Sequence, residues 1–174
     1  MKKVLVIGSG GAGKSTFARR LGEVTGIEVI HLDKLYWKPN WIEPSKDEWL
    51  KAVENAIKED EWIMDGNFGG TLELRLAACD TAIFFDFPRI VCVYRVFKRW
   101  LKYWNTNRPD MTEGCNEKID LKFLGWIWNF QKTTKPKIEE RLKCFGREKT
   151  VIRLHSSKEV EDFFVNYSQT FVLK

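Results

Sequence analysis

Eight residues near the amino terminus, Gly8-Ser9-Gly10-Gly11-Ala12-Gly13-Lys14-Ser15, constrain this chain more than any other stretch in it. They satisfy G-x-x-x-x-G-K-[ST] at Gly8, Gly13, Lys14 and Ser15. The apolar run Val4-Leu5-Val6-Ile7 precedes them and reads as a strand buried on both faces. Behind them Phe17, Ala18, Leu21 and Val24 recur at helical spacing, with Gly26 as the stop. A strand that passes through glycines into a helix turns successive N–H groups and the positive helix end toward one point, which suits a chain of phosphates. Lys14 adds a point charge for the outer phosphates. The Ser15 hydroxyl, with Thr16 next to it, is placed to ligate Mg²⁺. ATP and Mg²⁺ are therefore the expected ligands. A bare glycine turn with no ligand would leave Lys14 without a packing role.

The rest of the chain alternates the same two periodicities. Residues 28–32 read as a second strand with Asp33 just beyond it, and Pro39 and Pro44 mark a loop. Ser45-Lys46-Asp47-Glu48 has the form of a capping box, followed by the apolar stripe Trp49, Leu50, Val53, Ala56, Ile57. Trp62-Ile63-Met64 forms a third strand ending at Asp65-Gly66, residues 71–78 a short helix, and residues 81–85 a fourth strand. Pro88 opens a helix to about Trp104, with Ile90, Val93, Tyr94, Phe97, Leu101 and Trp104 on one side and Arg95, Lys98, Arg99 and Lys102 on another. Residues 105–118 are polar and carry Pro109 and Gly114, so a mobile surface loop is expected. Helices resume near Asp120, residues 151–154 make a fifth strand, and Ser156 with Glu159 repeats the capping signature before a last helix over 160–167. This order predicts one α/β domain over 1–174: a P-loop NTPase with a five-stranded parallel sheet and helices on both faces. Its ligands belong outside the carboxyl ends of the strands, where Gly8, Asp33 and Asp65 all fall.

At 174 residues and 44% hydrophobic content the chain can bury one sizeable core. The apolar run behind Met1-Lys2-Lys3 is too short for a signal segment, and no stretch nears the ~20 apolar residues of a membrane span, so the expected location is the cytoplasm with no membrane partner. Cys79, Cys92, Cys115 and Cys144 are scattered without a C-x-x-C pair, which points to reduced thiols rather than a metal or disulfide framework. The net charge of +5 is uneven: residues 95–149 hold 14 Lys and Arg against 7 Asp and Glu. Such a segment wants a polyanion, whether a triphosphate, a nucleic acid or an acidic membrane surface. Four of the eight tryptophans, Trp100, Trp104, Trp126 and Trp128, lie in it and could stack nucleobases. Trp100 and Trp104, four apart, read more simply as part of a buried helix seam.

Two carboxylates complete the candidate site. Asp65 follows a strand beside the loop and is the candidate to orient hydrated Mg²⁺; the alternative is a turn cap with Gly66. Asp33 could accept a hydroxyl proton from a phosphoryl acceptor, or could cap a helix or pair with Lys34. Arg75, in Leu74-Arg75-Leu76, reads as a surface or carboxylate-pairing side chain before an acceptor contact. Arg95 and Arg99, four apart on one helix face, could both reach one phosphate group.

The glycine loop, Leu32-Asp33-Lys34-Leu35-Tyr36-Trp37, Trp62-Ile63-Met64-Asp65-Gly66-Asn67 and Arg108-Pro109-Asp110-Met111 together resemble the adenylate-kinase-related proteins known as DNA topology modulation (FlaR-like) proteins. The resemblance spans nearly the whole chain. It implies a nucleoside-monophosphate-kinase-like fold with a helical, basic lid at about 95–149, whose arginines close on the transferred phosphoryl group: Arg95, Arg99, Arg108 and Arg141 are the candidates. Asp65-Gly66 is similar to the Asp-Gly-Phe-Pro-Arg element of adenylate kinases but continues Asn67-Phe68-Gly69, without its phosphate-holding arginine, so AMP is not implied as acceptor. Asp33 looks like the acceptor-binding aspartate of uridine-kinase-like and shikimate-kinase-like enzymes. The expectation is a small-molecule kinase with an unspecified acceptor; the alternative is a nucleotide-gated DNA-binding regulator, for which no dedicated DNA-reading motif is present.

Overall fold

The computed structural model describes residues 1–118, 120–145 and 149–172, the last five by backbone alone. The described residues form β1 (Lys3–Gly8), α1 (Lys14–Thr25), β2 (Val29–His31), α2 (Leu32–Tyr36), α3 (Lys46–Ala56), β3 (Trp62–Asp65), α4 (Leu72–Ala78), β4 (Thr81–Phe85), α5 (Arg89–Lys102), α6 (Leu121–Thr133), α7 (Lys135–Phe145), β5 (Thr150–Leu154) and α8 (Ser157–Val172). The strands are parallel throughout, in the order β2-β3-β1-β4-β5. The five-stranded parallel sheet expected from the alternation is thus present.

β1 takes the centre because nothing in it needs water: residues 4–7 are wholly buried. Alternate side chains feed opposite faces. Val4, Val6, Ile63, Ile83 and Phe85 meet Phe17 and Leu21 of α1, Cys92 and Val96 of α5, and Phe164 of α8. Leu5, Ile7, Trp62, Met64 and Phe84 meet Val53 of α3, Leu72 and Leu76 of α4, and Ile138 and Leu142 of α7. Burial is worth about 1.5–3 kcal/mol per large apolar side chain. The sheet therefore carries the stability, and the loops at its carboxyl edge are left to serve a ligand. Among the described residues no helix is long and apolar enough to cross a membrane.

Both capping signatures close as read. Ser45 accepts from the Glu48 amide at 3.2 Å while Glu48 accepts from the Ser45 amide at 2.8 Å, and Ser156 accepts from the Glu159 amide at 3.2 Å.

Three local expectations need correction. β2 ends at His31 and the helix α2 follows at once, so Asp33 stands in a first helical turn rather than in a loop. Gly66 makes this possible: its φ is 135°, and a Cβ there would lie 2.7 Å from that of Leu32, the buried first residue of α2. On α5 the seam of Ile90, Tyr94, Phe97, Leu101 and Trp104 is exposed, because the helix meets the sheet through Cys92 and Val96 on its other side. Residues 105–118 are not merely a surface loop. Arg108, Met111, Cys115 and Glu117 are buried, and the segment docks on the chain after β2 through Thr112 Oγ1 to the Lys34 carbonyl at 2.9 Å and the Asn40 amide to the Gly114 carbonyl at 3.3 Å. Its polar composition concealed this because ion pairs and backbone hydrogen bonds, with only Met111 and Cys115 as buried apolar anchors, hold it down.

Of the span 95–149 expected as a lid, the part that docks across to α2 is the loop after α5; α6 and α7 bury Ile127, Phe130, Ile138 and Leu142 in the two cores. Ile119 and residues 146–148, within that span, lie outside the described residues.

Candidate active site

A cleft of about 1100 Å³ opens along the carboxyl edge of the sheet. The glycine loop forms one end. Gly13 is the N-cap of α1 and no side chain caps the helix, so the N–H groups of its first turn have no side-chain partner. Gly11, at φ 76°, lets the Cys92 carbonyl of α5 press against the loop where a Cβ would collide with it. Gly10 and Gly11 thus let the loop lie close against α6 and α5 without side chains of its own, and a glycine loop leading into an uncapped helix N-terminus fits a chain of phosphates. Lys14 donates to the Ser9 carbonyl at 2.9 Å. Burial lowers its pKa, and Asp65 and Asp33 oppose the shift, so both carboxylates lie within electrostatic reach of its ammonium.

Arg95 holds the loop from α5. It donates to the Ala12 carbonyl at 2.9 Å and to Ser157 Oγ at 2.8 Å, and lies 4.9 Å over the Phe87 ring. From the β3 side, Asn67 accepts from the Gly8 amide at 2.9 Å and donates to the Gly8 carbonyl at 2.6 Å, closing both polar groups of that residue at once.

The other end is acidic and aromatic. Asp65, buried at the end of β3, meets His31 Nδ1 at 2.5 Å. Burial opposes a charge on His31, but the Asp65 carboxylate outweighs it and the imidazole pKa is raised. Asp33 is pushed up by burial first and by Asp65 next, with Arg108 and Lys14 pulling the other way. Arg108 sits between Asp110 at 3.2 Å and Glu117 at 2.5 Å, and Glu117 also accepts from Arg99 Nη2 at 3.0 Å. Trp37, Trp41 and Phe68 line this end, and Tyr36 stands edge-on to Trp37 and tilted on Phe68.

Lys14, Ser15, Thr16, Gly10, Gly11, Ala12, Gly13, Asp33, Asp65, Arg95, Arg99 and Arg108 therefore all line one cleft. Gly8 and Ser9 are buried beneath the loop and support it. Arg141 is not brought there: on α7 it pairs with Glu73 of α4 at 2.9 Å. Arg75 is neither on the surface nor paired with a carboxylate. It is wholly buried and donates to the carbonyls of Gly66, Asn67, Phe68 and Thr71 and to Thr71 Oγ1. Burial lowers its pKa to about 9, which leaves it charged at neutral pH. Its role is to pin the loop that holds Asn67. A signal existed, since Arg75 lies three residues from the buried Leu72, on the same side of α4. Sequence reasoning also passed over Asn67, His31 and Glu117; Glu117 in particular has no local pattern that foretells its two arginines.

No family model matches the chain. Adenylate kinases of Thermotoga petrophila and Thermotoga maritima are each 28% identical over 108 residues, which are 60% of this chain and 48% of theirs. The chain thus spans about half the length of these curated relatives. Among solved structures, shikimate kinase from Acinetobacter baumannii in complex with shikimate superimposes with a TM-score of 0.59, over 99% of this chain and 93% of that one, at 13% identity. This is a kinase-like P-loop fold.

Proposed function

We propose that this protein is an ATP-dependent kinase that transfers the γ-phosphoryl group to a hydroxyl of a small molecule. The observation that supports the reading most is the convergence of the Lys14 loop, Asp33 and three arginines on one cleft. The amides of residues 10–15, apart from that of Ala12, which donates to the Ser9 carbonyl, and the Lys14 ammonium would hold the triphosphate. Ser15 and Asp65 would hold Mg²⁺, with His31 fixing the Asp65 carboxylate; the ion, when bound, neutralises charge on the outer phosphates. Asp33 would take the proton of the acceptor hydroxyl as its oxygen forms a bond to γ-phosphorus and the bond to the ADP oxygen breaks. Arg95, already on the loop, and Arg99 and Arg108, held on Glu117, are the cations available for the charge on the group in transit.

The kinase similarities and the sequence identity to adenylate kinases support phosphoryl transfer as the class of reaction. The shikimate of the structural neighbour makes small hydroxy acids one class of acceptor to test, and the missing arginine after Gly66 argues against a nucleoside monophosphate. The four free cysteines and the nucleotide substrate accord with a cytoplasmic place. The DNA-binding alternative rests on the basic segment, yet Arg95, Lys98, Arg99, Lys102 and Arg108 face into the cleft, where a triphosphate accounts for them. The decisive measurement is ADP release from MgATP against nucleosides, sugars, hydroxy acids and nucleotides. An acceptor that raises turnover well above the water background supports the proposal, and binding of ATP with no acceptor-stimulated turnover would remove it.

A further inference from the structure

α5 exposes Ile90, Tyr94, Phe97, Leu101 and, just past its end, Trp104, at 69%, 64%, 49%, 57% and 60% of their surface. The steps between them of four, three, four and three residues make the 3.5-residue repeat of a helix that packs along another helix. The fold already uses the remaining sides of α5: Cys92 and Val96 enter the core, while Arg95, Lys98, Arg99 and Lys102 turn to the cleft. The five seam residues themselves are uncharged. A groove of about 260 Å³ runs beside it, walled by Val93, Tyr94, Phe97, Trp100 and Phe123 and closed at one end by the charged Lys118 and Asp120.

We propose that this seam closes on a second copy of the chain, α5 antiparallel to α5 about a two-fold axis at Phe97. The seam is self-complementary in that register. Ile90 falls opposite Trp104 of the second copy, Tyr94 opposite Trp100, and Val93 opposite Leu101, so every apolar side chain meets another apolar one, and Phe97 meets itself. The extent also fits. Aromatic side chains of about 150–250 Å² at these exposures leave roughly 250–450 Å² bare on three rings, and the two aliphatic residues bring the seam to on the order of 500 Å² per copy. Two copies bury about 1,000 Å², the lower bound of a specific interface.

The test is sedimentation equilibrium of the full chain from low to high micromolar concentration, with the Phe97→Glu variant, which sets two carboxylates against each other on the axis. A mass of twice 20.5 kDa for the wild type is expected. In the variant the dissociation constant should rise by more than about 30-fold. ATP affinity should be unchanged, since Phe97 does not line the cleft. Cysteine cross-linking supplies an arm independent of that variant. In a Cys144→Ser background, which removes the exposed native thiol, Phe97→Cys alone should form a disulfide-linked dimer, and Ile90→Cys should do so only with Trp104→Cys. A wild type that stays monomeric, a dimer that survives Phe97→Glu, cross-links in any other pairing, or a monomer that instead binds phosphatidylserine vesicles through this face would each overturn the proposal.

Discussion

The two ends of the cleft are built on opposite plans. The nucleotide end is one contiguous segment between β1 and α1, positively charged and held open by glycines, with Arg95 and Asn67 as outside supports. The end proposed for the acceptor is assembled from the start of α2, the end of β3 and the loop after α5, and it is acidic and aromatic, its arginines matched to Asp110 and Glu117. A loop that must cradle a phosphate chain needs little beyond backbone geometry, which a short run of residues can specify. A pocket that must recognise one acceptor needs groups from several directions, and those only a fold can bring together. If this contrast is sound, substitutions at the two ends should separate nucleotide binding from acceptor turnover.

The largest effect expected is that of Asp33→Asn. Acceptor-dependent ADP release should fall by on the order of 10²–10⁴-fold, as for loss of a positioned general base, with ATP affinity intact. The pH profile sharpens this. Asp33 must be ionised to accept a proton, and burial and Asp65 raise its pKa above the ordinary 3.8, so the wild-type rate should decline as pH falls through that raised value. The Asn variant should lack this acid limb, and an unchanged limb would assign it to another group. Lys14→Ala comes next: a loss of about 10²–10³-fold in turnover, as for removal of one electrostatic donor to the reacting group, together with weaker ATP binding and no change in thermal stability. Retained ATP affinity and turnover would break the nucleotide half of the comparison.

Asn67→Ala asks whether the ends are independent at all, because Asn67 hangs from the loop that Arg75 pins and reaches across to Gly8. Leaving the Gly8 amide and carbonyl without partners should cost about 1–3 kcal/mol in denaturant titrations and weaken ATP binding and acceptor turnover together. A variant that lost only one of the two would show that the ends are mechanically separate. Ser45→Ala is the smallest. It removes the α3 cap for about 1 kcal/mol, and neither ATP affinity nor turnover should respond, since Ser45 itself does not line the cleft and Trp49 of the same helix stays packed on Tyr36 and Phe68.

What could be read without the fold was what neighbouring residues settle between themselves. The glycine loop with its flanking strand and helix, the capping boxes at Ser45 and Ser156, the burial of Val4 to Ile7 and hence the parallel sheet all depend on backbone freedom, side-chain reach over a few residues and hydrophobic period. Those terms are local, so they survive in the sequence. Tertiary structure alone decided which face of α5 is buried, for a helix with apolar residues on two sides carries no mark of which will meet the sheet. It also decided that Arg75 serves four carbonyls and that Glu117 gathers Arg99 and Arg108. A buried charge takes whatever partner the fold sets beside it, because an unpaired one would cost several kcal/mol, and the identity of that partner is written many residues away.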